Sequence, residues 1–206
     1  PGKNIASIKD WNQRIDEMVS HAATWDIGII VGVPSWVKML LEKIIQQYKL
    51  QSIHDIWPNL FLYIHSGVSF EPYKNSFKNL FSKEVIYIET YLASEGFIAN
   101  QTYPDTSGLQ ISLDSGIFYE FIPFNDTNFD LDGNVKENPE TIELAMVKLN
   151  TPYAVLLTTC AGAWRYIIGD IVSFSAPEKL MILGRTKQFL NLCGEHISID
   201  NLNNAI

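Results

Sequence analysis

The chain has 206 residues, 47% of them hydrophobic and 18% charged, enough to bury a core as one large domain or one and a half smaller ones. A formal net charge of −8 and the lack of any basic run argue against non-specific binding to nucleic acid or to an anionic membrane surface. No apolar stretch approaches the ~20 residues of a membrane helix, and Pro1-Gly2-Lys3-Asn4 lacks a signal peptide's apolar core, so the expectation is a cytoplasmic protein.

Ser7, with Asp10 three residues on, reads as a helix start. Trp11, Ile15, Met18 and Val19 then recur at helical spacing, which predicts an amphipathic helix over about residues 8–22. Ile27 to Val33 is apolar throughout and β-branched, as suits a strand covered on both faces. Pro34-Ser35 ends it, and a helix follows to Tyr48, with proline well placed at or before its first turn. Gly28 and Gly32 lack the Gly-x-Gly-x-x-Gly spacing of a dinucleotide loop and count as ordinary punctuation.

Ser52 to Trp57 reads as a short helical turn, and Leu60 to Ile64 as a second buried strand. The loop His65 to Ser69 leads to a helix opened by Pro72-Tyr73, with Phe77, Leu80 and Phe81 on one face, and Val85 to Ile88 is a third strand. Strand, loop, helix and strand describe an α/β unit with a largely parallel sheet and flanking helices. Ligands of such sheets gather at the carboxyl ends of the strands, where Gly67-Val68-Ser69 and Tyr91 to Glu95 would lie.

From about residue 109 the texture changes to short strands: Leu109 to Leu113, Ile117 to Pro123, Thr141 to Val147, Tyr153 to Thr159, Trp164 to Ile168 and Ile171 to Phe174. Asn125 to Asn138, with Asp132-Gly133-Asn134, is a solvent loop or hairpin turn. Met181 to Arg185 and Gln188 to Leu192 read as a last β pair around Thr186-Lys187, and a helix begins near Asp200. The fold class expected is therefore α/β, followed by a β-rich, antiparallel or barrel-like subdomain. Its parts would be residues 1–108, 109–186, and a hinge with the start of a further domain over 187–206, as though the chain were a piece of something longer.

Tyr91-Leu92-Ala93-Ser94-Glu95-Gly96 brings a ring, a hydroxyl and a carboxylate together at the end of a strand. Such a set can stack a base, touch a phosphate and hold Mg²⁺, and so form one wall of a nucleotide site. Equally, Tyr91 can be core, Ser94 a turn cap and Glu95 a solvated charge. Gly169-Asp170, between two strands, would hold a carboxylate on a rigid hairpin where it can accept both hydroxyls of a ribose, although Gly-Asp between strands is more often a plain turn. Tyr119, Phe121, Trp164 and Tyr166 would line a pocket for an apolar or aromatic acid, but alternating strand aromatics are more often core. Cys160 and Cys193 read as reduced, semi-buried thiols. The scattered His21, His54, His65 and His196 read as packing or capping residues rather than metal ligands. Glu71 stands where the serine hydrolase elbow needs its second glycine, which makes that class the weakest candidate.

Taken in order, these stretches resemble the acyl-acid amido synthetases of the auxin-responsive Gretchen Hagen family, a branch of the adenylate-forming superfamily that includes acyl-CoA synthetases and luciferase. Thr90-Tyr91-Leu92-Ala93-Ser94-Glu95 is similar to the family's Thr-Tyr-x-Ser-Ser-Glu, with Ala93 for the first serine. Leu157 to Asp170 is similar to Thr-x-x-Gly-Leu-Tyr-Arg-Tyr-x-x-Gly-Asp, with Trp164 for the usual tyrosine. Gly184-Arg185-Thr186-Lys187, followed by Gly194-Glu195, resembles the superfamily hinge, and His65 to Tyr73 fits the loop beside the nucleotide, which brings in Val68 and Ser69.

The resemblance implies that Tyr91 stacks on adenine, Ser94 contacts the α-phosphate and Glu95 binds Mg²⁺. It also implies that Asp170 holds the ribose, Arg185 sits near the ribose-phosphate and Lys187 marks the hinge. The implied activity is ATP-dependent conversion of a small carboxylic acid to its acyl-AMP, followed by transfer to an amine such as an amino acid. Thiol transfer of the acyl-CoA synthetase type and a non-catalytic nucleotide-binding module are the alternatives. The family's phosphate-gripping loop has no counterpart between Pro1 and Tyr91, and no C-terminal domain follows within the 206 residues, so these residues alone are expected to be inactive or nearly so.

Overall fold

The structure, a computed structural model, describes residues 2–68, 70–104, 106–187, 189–192 and 195–198. The helix expected near Asp200 lies outside the described residues, as do Ser69 and Cys193. The chain forms two compact units, Pro1–Thr90 with Tyr103–Asp105 and Tyr91–Thr102 with Thr106–Ile206. The change of texture near residue 109 falls inside the second.

In the first unit a short helix α1 (Gly2–Ala6) precedes α2 (Trp11–His21), and the cap of α2 is Asp10, whose carboxylate accepts the Gln13 N–H at 2.7 Å. Ser7 instead donates its hydroxyl to the Asn4 carbonyl, so the helix starts three residues later than the Ser7-Asp10 pairing suggests. Strand β1 (Ile29–Gly32) runs into α3 (Pro34–Tyr48), with proline in the first turn where its missing N–H costs nothing. A 3₁₀ turn at Ile53–Asp55 leads to β2 (Leu62–His65), α4 (Glu71–Lys78) and β3 (Ile86–Ala93).

Strands β1, β2 and β3 pair in parallel, Ile29 with Leu62 and Leu62 with Ile86. Tyr63 and Phe77, stacked at 5.0 Å, are fully buried with Leu41, Ile44 and Ile53. Alternate residues on the other face are open: Ile29 is 50% and Val31 65% exposed. The two-sided cover expected of β1 is therefore present on one side only. His54 is a packing histidine, Nε2 against the Leu60 carbonyl at 2.9 Å and Nδ1 accepting the Ser82 N–H.

The second unit is antiparallel. Strand β4 (Gly96–Asn100), absent from the sequence expectation, is followed by β5 (Leu109–Ile111), β6 (Ile117–Pro123), a two-residue β7 (Ile142–Glu143), β8 (Tyr153–Thr159), β9 (Tyr166–Ala176) and β10 (Lys179–Arg185). Their hydrogen-bonded order is β4-β5-β10-β9-β8-β6-β7, an open sheet with β7 at its edge rather than a closed barrel. Strands β11 (Phe189–Leu192) and β12 (Glu195–Ser198) pair with each other, while β10 pairs with β5 and β9, so among the described residues the expected pair of Met181 to Arg185 with the run ending at Leu192 does not form; Gln188 lies outside them.

Thr141 to Val147, expected as a strand, is strand only at β7 and then a 3₁₀ turn at Leu144–Met146. Apolar alternation fixes the rest. Phe121, Val155, Leu157, Val172 and Phe174 fill one core, while Ile122, Ala154, Leu156 and Ile171 pack with Phe124 and Phe129 in another.

Candidate functional site

Gly169 and Asp170 do not sit on a hairpin. They lie inside the continuous strand β9, where Gly169 takes φ +82°, a left-handed backbone that glycine adopts without strain. A register shift in β10 between Ile182 and Gly184 accommodates the distortion, and the Thr186 N–H bonds the Gly169 carbonyl at 2.8 Å. Two short runs either side of a glycine look like two strands in sequence, whereas the ladder passes straight through it.

Asp170 is held from two sides. The Tyr91 hydroxyl donates to Oδ2 at 2.6 Å, and Arg185 Nε approaches Oδ1 at 3.1 Å while its Nη2 donates to the Ile168 carbonyl at 2.8 Å. Tyr91 is only 4% exposed, its ring packed with Ile98, Tyr119 and Phe121. Burial, with the Asp170 charge and hydrogen bond adding to it, pushes the Tyr91 phenol far above its usual range, so it remains a proton donor. A carboxylate presents about four lone-pair positions, and these partners use two, leaving acceptor capacity on both oxygens.

Strand β3 runs on through Ala93, and Ser94-Glu95 form the turn into β4. Ser94, Glu95, Asp170 and Arg185 line one cavity of about 330 Å³ with Leu92, Ala93, Tyr166 and Ile168. Tyr166, Ile168 and Asp170 stand at alternate positions of β9, a signal readable from the sequence once β9 is taken as one strand. No cluster of three or more His, Cys, Asp or Glu suited to a metal occurs among the described residues. Glu95 offers one carboxylate, the ligand type Mg²⁺ takes alongside phosphate oxygens.

Lys187 is exposed in the turn after β10 and is not among the cavity residues; Val68, in the first unit, is 44% exposed. The four aromatics divide: Tyr119 and Phe121 are buried, while Trp164 is 79% and Tyr166 49% exposed. Next to Trp164, Arg165 takes φ +46° and makes a two-pronged bond to Glu120 and a bond to Thr141. Cys160 is exposed rather than semi-buried. Among the described residues no helix is long and apolar enough to cross a membrane.

The GH3 family central domain matches residues 110–181. Indole-3-acetic acid-amido synthetase GH3.10 of Arabidopsis thaliana is 27% identical over 152 residues, 68% of this chain and 26% of that protein, so the chain spans about a quarter of such a relative's length. In structure the chain is similar to the GH3.15 acyl acid amido synthetase, with a TM-score of 0.66 at 13% identity over 98% of this chain and 44% of that one. A 2-hydroxyisobutyryl-CoA ligase in complex with 2-HIB-AMP and CoA has a TM-score of 0.63 at 15% identity, over 95% of this chain and 45% of that one. The matched central domain, the similarity to GH3 amido synthetases and the shared fold point the same way as the three ordered motifs: the chain is similar to GH3-family proteins and has the fold seen in the adenylate-forming ligases.

Proposed function

We propose that the protein to which these residues belong activates a small carboxylic acid with ATP and passes the acyl group to an amine such as an amino acid. The observation that carries this is the Tyr91–Asp170–Arg185 arrangement in the cavity that also holds Ser94 and Glu95. In this reading Asp170, oriented by Tyr91 and Arg185, accepts the ribose hydroxyls. Because its ring is buried, Tyr91 serves here by holding the carboxylate, and the half-exposed Tyr166 is the ring the cavity offers to a planar group.

The substrate carboxylate attacks the α-phosphorus, pyrophosphate leaves, and the acyl-AMP is then opened by the amine with release of AMP. In this reading Ser94 and Arg185, which line the cavity, donate to phosphate oxygens as negative charge develops on them. Mg²⁺, held by Glu95 and phosphate oxygens, would neutralise part of that charge. Lys187, in the turn after β10, would mark the pivot of the following segment. A cytoplasmic setting, where ATP is abundant, goes with this reading.

Carboxylate-dependent exchange of labelled pyrophosphate into ATP tests it in the full-length protein. Asp170→Asn or Glu95→Gln should lower that exchange by about a hundredfold or more; full exchange in either variant would overturn the roles. Supplying CoA and amino acids separately distinguishes amide from thioester formation.

A further inference from the structure

The loop between β6 and β7 is anchored at both ends of its tip. Phe129 is 2% exposed and packs on Phe124 at 4.8 Å in the core that contains Ile171, with Leu183 against it. Asp130 then locks a tight turn: its carboxylate accepts the N–H groups of Asp132 at 3.0 Å and Asn134 at 2.8 Å and the Asn134 side-chain amide at 3.1 Å, while its own N–H bonds the Asn134 carbonyl. Gly133, at the tip with φ +74°, lies directly against the backbone of the turn that ends β10. A Cβ at that position would stand 2.0 Å from the Thr186 carbonyl oxygen and 3.2 Å from the Lys187 nitrogen. The obstruction is main chain, which cannot rotate away as a side chain can.

Thr186 is itself 8% exposed and bonded through its N–H to the Gly169 carbonyl. A displacement of Thr186 therefore reaches the residues on either side of the site, Arg185 in one direction and, through Gly169, Asp170 in the other. We propose that Gly133 is a positioning residue: the locked turn seats the Thr186–Lys187 backbone and thereby holds the Arg185–Asp170 pair. Its effect on ligand rests on the nucleotide reading above; the seat itself does not.

Two readouts on the full-length protein keep these apart. Limited trypsin digestion with mass spectrometry measures cleavage after the exposed Lys187 relative to that after the exposed Lys9 of the first unit. Calorimetry with AMP measures the site. Gly133→Ala should raise the Lys187:Lys9 cleavage ratio about tenfold and weaken AMP about tenfold, as an overpacked contact shifts its neighbours. Asp130→Ala, which loosens the turn without adding a Cβ at its tip, should move both in the same direction by less and stands in if Gly133→Ala does not fold. An unchanged ratio, or cleavage rising in step at both bonds, overturns the seat. Unchanged AMP affinity in a variant with a raised ratio overturns its link to Arg185 and Asp170. If the unmodified protein binds no AMP, the nucleotide reading fails while the ratio still decides the seat.

Discussion

His65 ends β2 as a buried ring stacked on Phe70 at 4.4 Å, its Nδ1 without a hydrogen-bond partner among the described residues. Burial lowers its pKa to about 4, against about 6.5 in an unfolded chain. Between those values the unfolded chain takes up a proton that the native protein does not, so stability falls as pH drops from about 6.5 to about 4 and the loss levels off below. The size is roughly 2–3 kcal/mol. Urea midpoints measured across that window should lose this slope in His65→Phe; equal slopes in both proteins would mean that another group titrates. Tyr91 teaches a related lesson. Its place in a chemistry-bearing motif was legible, but whether its ring or its hydroxyl does the work depends on Asp170, 79 positions away, meeting it at 2.6 Å.

Among the elements, β9 departs most from its sequence reading, and Gly169 is the reason. A Cβ there would lie 3.6 Å from Arg185 Nη2 and meet no backbone, so Gly169→Ala isolates the cost of a left-handed backbone. The expected loss is about 1–2 kcal/mol in chemical denaturation, and, on the proposed ribose role of the neighbouring Asp170, AMP binding should weaken with it. A variant as stable as the original would show that the strand relaxes to ordinary β geometry. Strands β6 and β8 match their sequence boundaries because each alternates large apolar residues between two cores, a period that local sequence displays. Strand β7 and the 3₁₀ turn after it lack such a partner pattern. Thr141 to Val147 has the composition of a strand, yet only Ile142–Glu143 finds a neighbour to pair with.

On the scale of the whole molecule, each compact unit has its own core, one built on Leu41, Ile44 and Tyr63 and the other on Phe121, Leu157 and Phe174. Leu41→Ala removes a fully buried side chain and should cost about 2–5 kcal/mol. Hydrogen exchange should then quicken in α2, α3 and β2 well before it does in β6 and β8; equal acceleration throughout would show a single cooperative unit. The sequence by itself determined the α/β start, the β-rich remainder and the order of the motifs, because strand and helix periods and turn residues are local properties. Only the tertiary structure decided which carboxylate Tyr91 serves, that Asp170 sits within a strand, that the β-rich part is an open sheet, and that Gly133 lies against Thr186. Each of those depends on pairing between distant segments, which is set by register and packing and leaves no periodic mark in the chain.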